Sequence, residues 1–143
     1  MSTMNFQGGK IWHRLLEEGS RFVNVFGASF DREEMEFAKL VVHDEVKVSF
    51  YFNILGLPES APARWVDRGN NAARFSVVFH KPWSLEVSGA LSCFDCIPVI
   101  GFSDKGTSFS VQFSDTKIVC IGWDVSISEI RPYQDVRIKN HAR

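Results

Sequence analysis

Residues 45–55, EVKVSFYFNIL, decide the fold class of this protein. Apolar side chains occupy every second position of this stretch, and mostly polar side chains occupy the positions between them. Because successive side chains of a strand point to opposite faces, this period predicts a β-strand with one buried face. The side chains predicted to share that face are Val46, Val48, Phe50, Phe52 and Ile54.

The same period continues along most of the chain. Turn-forming sequences such as HKPW, SDKG and FSDTK separate the alternating segments, and no helical pattern lies between them. The sequence therefore predicts a mostly β fold, an antiparallel sandwich or open barrel of about eight or nine strands. The further strand segments are residues 21–27, 34–42, 73–80, 83–91, 107–113, 117–123 and 125–133.

Two segments depart from this period. Residues 9–20, GKIWHRLLEEGS, carry apolar side chains at helical spacing and predict one N-terminal helix that ends at Gly19. Residues 57–65, LPESAPARW, contain two prolines, which lack the backbone donor that a sheet interior needs. We expect a crossover there, with a short helical turn after Pro62.

The composition is that of one ordinary globular domain. At 143 residues the chain is long enough to bury about two-thirds of its unfolded surface, so we expect a single mostly β domain over residues 1–143. Apolar residues make up 45% of the chain and charged residues 23%, which excludes a disordered protein. The 13 phenylalanines favour β structure, because aromatic side chains suit a pleated, half-buried surface.

Charge and hydropathy indicate which partners to exclude. The 16 basic and 17 acidic residues are interspersed, with no basic stripe for a phosphate backbone, so we expect no nucleic acid partner. No apolar run approaches the ~20 residues of a membrane helix, and the first ten residues lack the pattern of a secretory signal. Three cysteines make a poor disulfide framework, so the sequence predicts a cytoplasmic location.

No motif in the sequence predicts catalysis. The CFDC sequence of residues 93–96 is a C-x-x-C, but a structural zinc needs four ligands and no second close pair exists, so we expect ordinary thiols and no metal or other cofactor. The G-x-S-x-G motif of a nucleophile elbow is absent, and so is the full phosphate-binding loop pattern. We therefore expect no catalytic residues and a protein that is not an enzyme.

The four tryptophans allow two interpretations. The favoured one places them in the core, because tryptophan brings a large apolar area and finds an indole partner in a nearby loop. The alternative is a sugar-stacking platform, to which Trp65 and Trp83 would contribute because they flank the strand of residues 73–80.

Residues 46–91 carry a resemblance to a known family. An alternating strand leads into LPESAPARW, then into NNAARFSVVFH and WSLEVSGAL. This order resembles the immunity protein 50 family, small mostly β proteins encoded beside toxins in bacterial polymorphic-toxin systems. The recurring landmarks of that family correspond to Pro62, Trp65 and Asn70 or Asn71. The resemblance covers about a third of the chain, and the C-terminal strands match only in pattern.

The resemblance implies that the protein binds and neutralises a cognate toxin without turnover. Its landmark residues would then be structural: the prolines stiffen the crossover, Trp65 plugs the end of the core, and an asparagine side chain caps the turn into the next strand. The exposed charges of the crossover, Arg64, Asp67 and Arg68, are the predicted partner-binding residues, since arginine forms bidentate contacts with carboxylates. The sequence gives no indication of the oligomeric state.

Two other function classes remain open on the sequence alone. One is a carbohydrate- or small-ligand-binding β module that uses exposed tryptophans. The other is a small β enzyme whose site is assembled from scattered Asp, Glu and His residues.

Overall fold

The computed structural model describes residues 5–8, 35–44, 46–57, 61–90 and 93–137. This part of the chain forms ten strands and one five-residue helix, α1, at Ala63–Asp67. The strands are β1 (Asn5–Gly8), β2 (Met35–His43), β3 (Lys47–Leu55), β4 (Ala72–His80), β5 (Ser84–Ser88), β6 (Phe94–Cys96), β7 (Val99–Ser103), β8 (Gly106–Phe113), β9 (Thr116–Gly122) and β10 (Asp124–Tyr133).

The strands form two five-stranded sheets in which every described pair is antiparallel. The order is β1-β7-β8-β9-β5 in one sheet, called the first sheet, and β10-β4-β3-β2-β6 in the other, called the second sheet. Neither sheet closes on itself within the described residues, so the prediction of a mostly β, antiparallel fold is confirmed and a closed barrel is excluded for this part of the chain.

Strand β3 lies at the centre of the second sheet, as its alternation predicts. Its core face carries the fully buried Phe50, Phe52 and Ile54, while Val46 lies in the preceding turn and is exposed. Phe109 of the first sheet reaches this face, with its ring centroid 5.0 Å from that of Phe50 and 6.0 Å from that of Phe52. The two sheets therefore contact each other through aromatic side chains of their central strands.

The structure has more strands than the eight or nine predicted, because three short ones give no periodic signal. Strands β1 and β6 have only four and three residues, and β7 contains Gly101 between its apolar side chains. The helix predicted at residues 9–20 and the strand predicted at residues 21–27 lie outside the described residues. No helix in the described ranges is long and apolar enough to cross a membrane.

The helical turn predicted after Pro62 is confirmed by α1. Pro62 precedes the helix with an extended ψ of 133°, and its carbonyl accepts a hydrogen bond from the Trp65 amide at 3.0 Å. The chain leaves α1 through Gly69, whose φ of +84° lies in the left-handed region that glycine adopts without strain. Because β3 and β4 are antiparallel neighbours in the second sheet, their connection is a long hairpin loop, and the expectation of a crossover is wrong.

Candidate functional site

Helix α1 presents the three predicted partner-binding residues to solvent. Arg64, Asp67 and Arg68 are all exposed, as is Val66 between them, whereas Trp65 is only 7% exposed and belongs to the core. Arg64 and Arg68 are four residues apart, which places both guanidinium groups on one side of the turn. We call these four exposed residues the α1 patch; the buried Trp65 fixes their position relative to the sheets.

The asparagine landmark does more than the sequence predicts. The sequence predicts that the side chain of Asn70 or Asn71 caps a local turn, but the Asn71 side chain pairs with the backbone of a residue 64 positions later. Its Oδ1 accepts a hydrogen bond from the Asp135 amide at 2.7 Å, and its Nδ2 donates to the Asp135 carbonyl at 3.1 Å. The Asn71 side chain therefore makes the same pair of hydrogen bonds that a neighbouring strand would make, and these bonds hold the segment after β10 close to α1.

The segment after β10 contributes to a charge network, which we call the Arg137 network. The Arg137 guanidinium donates two hydrogen bonds to the Glu36 carboxylate, at 2.6 and 2.9 Å, and two to the Asp135 carboxylate, at 2.9 and 2.6 Å. Both carboxylates are largely buried while the arginine is half exposed. The hydrogen bonds from Arg137 hold the pKa of Asp135 well below its usual range and lower the pKa of Glu36 in the same way.

The Arg137 network continues across the second sheet. The Asn53 side chain donates to Glu36 at 2.8 Å and accepts from Arg74 at 2.8 Å, and the Arg74 guanidinium lies over the Tyr133 ring at 5.4 Å. Burial, followed by the hydrogen bond that Tyr133 donates to Asp135, raises the pKa of Tyr133 to about 12. These bidentate and charge-assisted contacts indicate a structural role for the network, which connects β2, β3 and β4 with the segment after β10.

The Arg137 network predicts a weakened pH dependence of stability in the variant Arg137→Met. In the parent protein both carboxylates have lowered pKa values, so they add stability above about pH 4 and this stability is lost as the pH falls. The variant removes the largest cause that lowers each pKa, while burial still raises them, so less of this stability is gained as the pH rises above about 4. We expect the melting temperature of Arg137→Met to lie further below that of the parent at pH 7 than at pH 4.

The matched control is Arg131→Met, which removes an exposed arginine of β10. Thermal unfolding of all three proteins across this pH range measures the effect. A gap between Arg137→Met and the parent that stays constant with pH would contradict the assignment of a charge role to the network.

The expectation that the tryptophans lie in the core holds for Trp65 and is wrong for two others. Trp83 is 52% exposed and Trp123 is 68% exposed, because both lie in turns at the ends of strands. The Trp83 indole donates to the Lys105 carbonyl at 2.8 Å, and a Cβ at Gly106 would lie 3.4 Å from the Trp123 ring. The two exposed rings therefore flank the turn between β7 and β8, while Trp12 lies outside the described residues.

A platform made of Trp65 and Trp83 is not formed. Trp65 precedes β4 and Trp83 follows it. The nine residues of this strand place its two ends about 30 Å apart, so the two rings lie at opposite ends of the strand.

The C-x-x-C does not bring its two thiols together. Cys93 is exposed and Cys96 is buried, because an odd offset along an extended chain directs side chains to opposite faces. The third cysteine, Cys120, is also buried, and this burial raises its pKa to about 12. In the described residues no three His, Cys, Asp or Glu side chains lie close enough to hold a metal ion.

Comparisons with protein-family models, with curated proteins and with solved structures find no match for this chain. The resemblance to the immunity protein 50 family therefore stays a prediction, and the function has to be argued from the surfaces described above.

Proposed function

We propose that this protein neutralises a bacterial toxin domain by stoichiometric binding, as the resemblance of residues 46–91 implies. The observation that carries the proposal is the α1 patch, which combines an exposed apolar side chain, Val66, with three exposed charges. A patch of this composition suits a protein partner, since arginine pairs bidentately with carboxylates and an adjacent apolar contact excludes water.

The way α1 is held supports this proposal. Trp65 is packed into the core, and the turn that follows is closed by backbone hydrogen bonds from Gly69 to Val66 and from Asn70 to Trp65, at 2.9 and 3.1 Å. A surface that is ordered before binding loses little conformational entropy when a partner docks. The structural positions of Trp65 and Asn71 also agree with the supporting role that the resemblance gives them.

The test uses the double charge reversal Arg64→Glu/Arg68→Glu. We expect this variant to keep the melting temperature of the parent, because both side chains are exposed, and to lose at least about tenfold in affinity for the toxin encoded beside it. Co-expression with that toxin measures protection as growth rescue, and size-exclusion chromatography of the purified pair measures a one-to-one complex.

The matched control is Lys105→Glu/Lys117→Glu, which changes the net charge equally at two exposed residues outside the α1 patch. If both double variants weaken the complex equally, the α1 patch is not the interface. If the parent protein neither binds the neighbouring toxin nor rescues growth, the proposed function is wrong.

A second candidate function is supported by the exposed tryptophans. Trp83 and Trp123 present large ring surfaces around the turn between β7 and β8, and this arrangement suits stacking against the apolar face of a sugar. A titration with soluble glycans that quenches tryptophan fluorescence in the parent, and not in Trp123→Ala, would favour a carbohydrate-binding module over toxin neutralisation.

A further inference from the structure

The outer face of the second sheet contains a polar groove of about 180 Å³. It runs across β3, β4 and β10, on the side of the sheet that faces away from the first sheet. Its floor consists of three serine hydroxyls and one apolar side chain, and its walls consist of longer charged and aromatic residues. The lining residues are Lys47, Ser49, Tyr51, Val78, His80, Ser126, Ser128 and Glu129.

One wall of the groove is held in a strained conformation. Glu129 has a φ of 54°, and the register of β10 against β4 shifts between Ser128 and Arg131. Three other non-glycine residues in the described ranges have positive φ, but they occupy turns, whereas Glu129 lies inside a strand. Left-handed backbone is unfavourable for an L-residue, and such strain concentrates at binding sites.

The bulge also protects the edge of the sheet, since β10 is an edge strand. That role explains an irregular backbone but not the direction of the bulged side chain. The Glu129 side chain lines the groove and accepts a hydrogen bond from Tyr51, whose pKa is raised by burial first and by this carboxylate second. Tyr51 is further fixed by Lys39, whose ammonium lies 4.8 Å from the centre of its ring.

The lining residues of the groove place a carboxylate at one end and basic side chains at the other. Glu129 is the carboxylate, beside Tyr51, and the cross-strand neighbours Lys47 and His80 are the basic side chains. Outside the lining, Lys39 and Arg74 lie near Tyr51, and Asp124 is the register partner of His80. Lys47 and Tyr51 are four residues apart on β3, which separates their backbones by about 13 Å. Serine hydroxyls lie between these two ends and can both donate and accept hydrogen bonds.

We propose that this groove binds a small zwitterion whose carboxylate contacts Lys47 and His80 and whose ammonium contacts Glu129. The volume equals that of about six water molecules, which is too small for a drug-sized ligand and suits an amino acid or an ω-amino acid. The separation of the two ends favours a ligand whose charges lie several bonds apart. This site is separate from the α1 patch and does not rest on toxin binding.

A series of amino acids that differ in the distance between their charges tests the proposal. The probes are glycine, 4-aminobutyrate and 6-aminohexanoate, titrated at pH 7 into the full chain and followed by amide chemical shifts in NMR spectra. We expect saturable shifts at Ser49, Val78 and Ser126, with 6-aminohexanoate binding at least about tenfold more tightly than glycine. Hexanoate and hexylammonium each lack one charge and should bind at least about tenfold more weakly than 6-aminohexanoate.

Variants at the two ends identify the contacts. Glu129→Gln and Lys47→Met should each raise the Kd for 6-aminohexanoate at least about tenfold, whereas Glu86→Gln and Lys117→Met, at exposed residues of the first sheet, should leave it unchanged. Glycine adopts a left-handed backbone without strain, so Glu129→Gly should lower the affinity for 6-aminohexanoate without lowering the melting temperature. The proposal is overturned if no probe gives a saturable shift, if hexanoate binds as well as 6-aminohexanoate, or if neither end variant changes the Kd.

Discussion

Replacing Trp65 by alanine is expected to lower the free energy of unfolding by about 3–5 kcal/mol. The indole is 7% exposed and packs against the core from a five-residue helix, which is too short to be stable without tertiary contacts. Removing the ring leaves a cavity at the corner between β3 and β4 and releases α1 from the sheets. Urea unfolding at pH 7 followed by circular dichroism measures the loss.

The matched control is Val66→Ala, which changes the neighbouring side chain of the same helix at a position that is 57% exposed. We expect its stability to stay within about 0.5 kcal/mol of that of the parent. If Trp65→Ala kept the stability of the parent and lost toxin binding instead, Trp65 would be a contact residue and its assignment to the core would be wrong.

Phe109→Ala should destabilise the protein by a similar amount, about 3–5 kcal/mol, through a different part of the core. Phe109 is fully buried in β8, and its ring meets those of Phe50 and Phe52 edge-on across the space between the two sheets. Edge-to-face pairs add about 0.5–1.5 kcal/mol to the burial of the rings themselves. The truncation therefore removes apolar area and both inter-sheet ring contacts at once.

Phe113→Ala on the same strand serves as the control. This ring also contacts the other sheet, by stacking on Phe94 at 5.6 Å, but it is 55% exposed and can be hydrated in the folded state. We expect less than about half the loss seen for Phe109→Ala. Equal losses in the two variants would show that the sheets are not held together chiefly by the buried rings.

The fold was predictable where one face of a strand is uniformly apolar. Strand β3 alternates over its whole length, so Phe50 and Phe52 were assigned to the core from the sequence. Strands β6 and β7 were not predicted, because three residues hold too little of the period and Gly101 interrupts it. The burial of Trp65 was also expected, since a proline-led connection between two strands brings a ring to the end of the core.

The candidate sites were much less predictable. Arg137 contacts Glu36 from 101 residues away, and no local pattern marks either residue. Glu129 follows the polar Ser128, so two successive polar residues interrupt the alternation of residues 125–133, and this break lies where the register of β10 shifts and turns Glu129 toward the groove. Trp83 and Trp123 were assigned to the core from residue type alone, and the turns in which they lie expose them instead.

The pairing of β4 with β10 has a consequence for how the chain folds during synthesis on the ribosome. The partners of β4 are β3, made just before it, and β10, made about fifty residues later. Strands β5, β7, β8 and β9 emerge in that interval and pair among themselves, so the first sheet gains most of its partners while β4 still presents an open edge. The nascent chain therefore exposes the edge of β4, a strand rich in valine and phenylalanine, until β10 is synthesised. A chaperone that shields this edge would speed correct assembly.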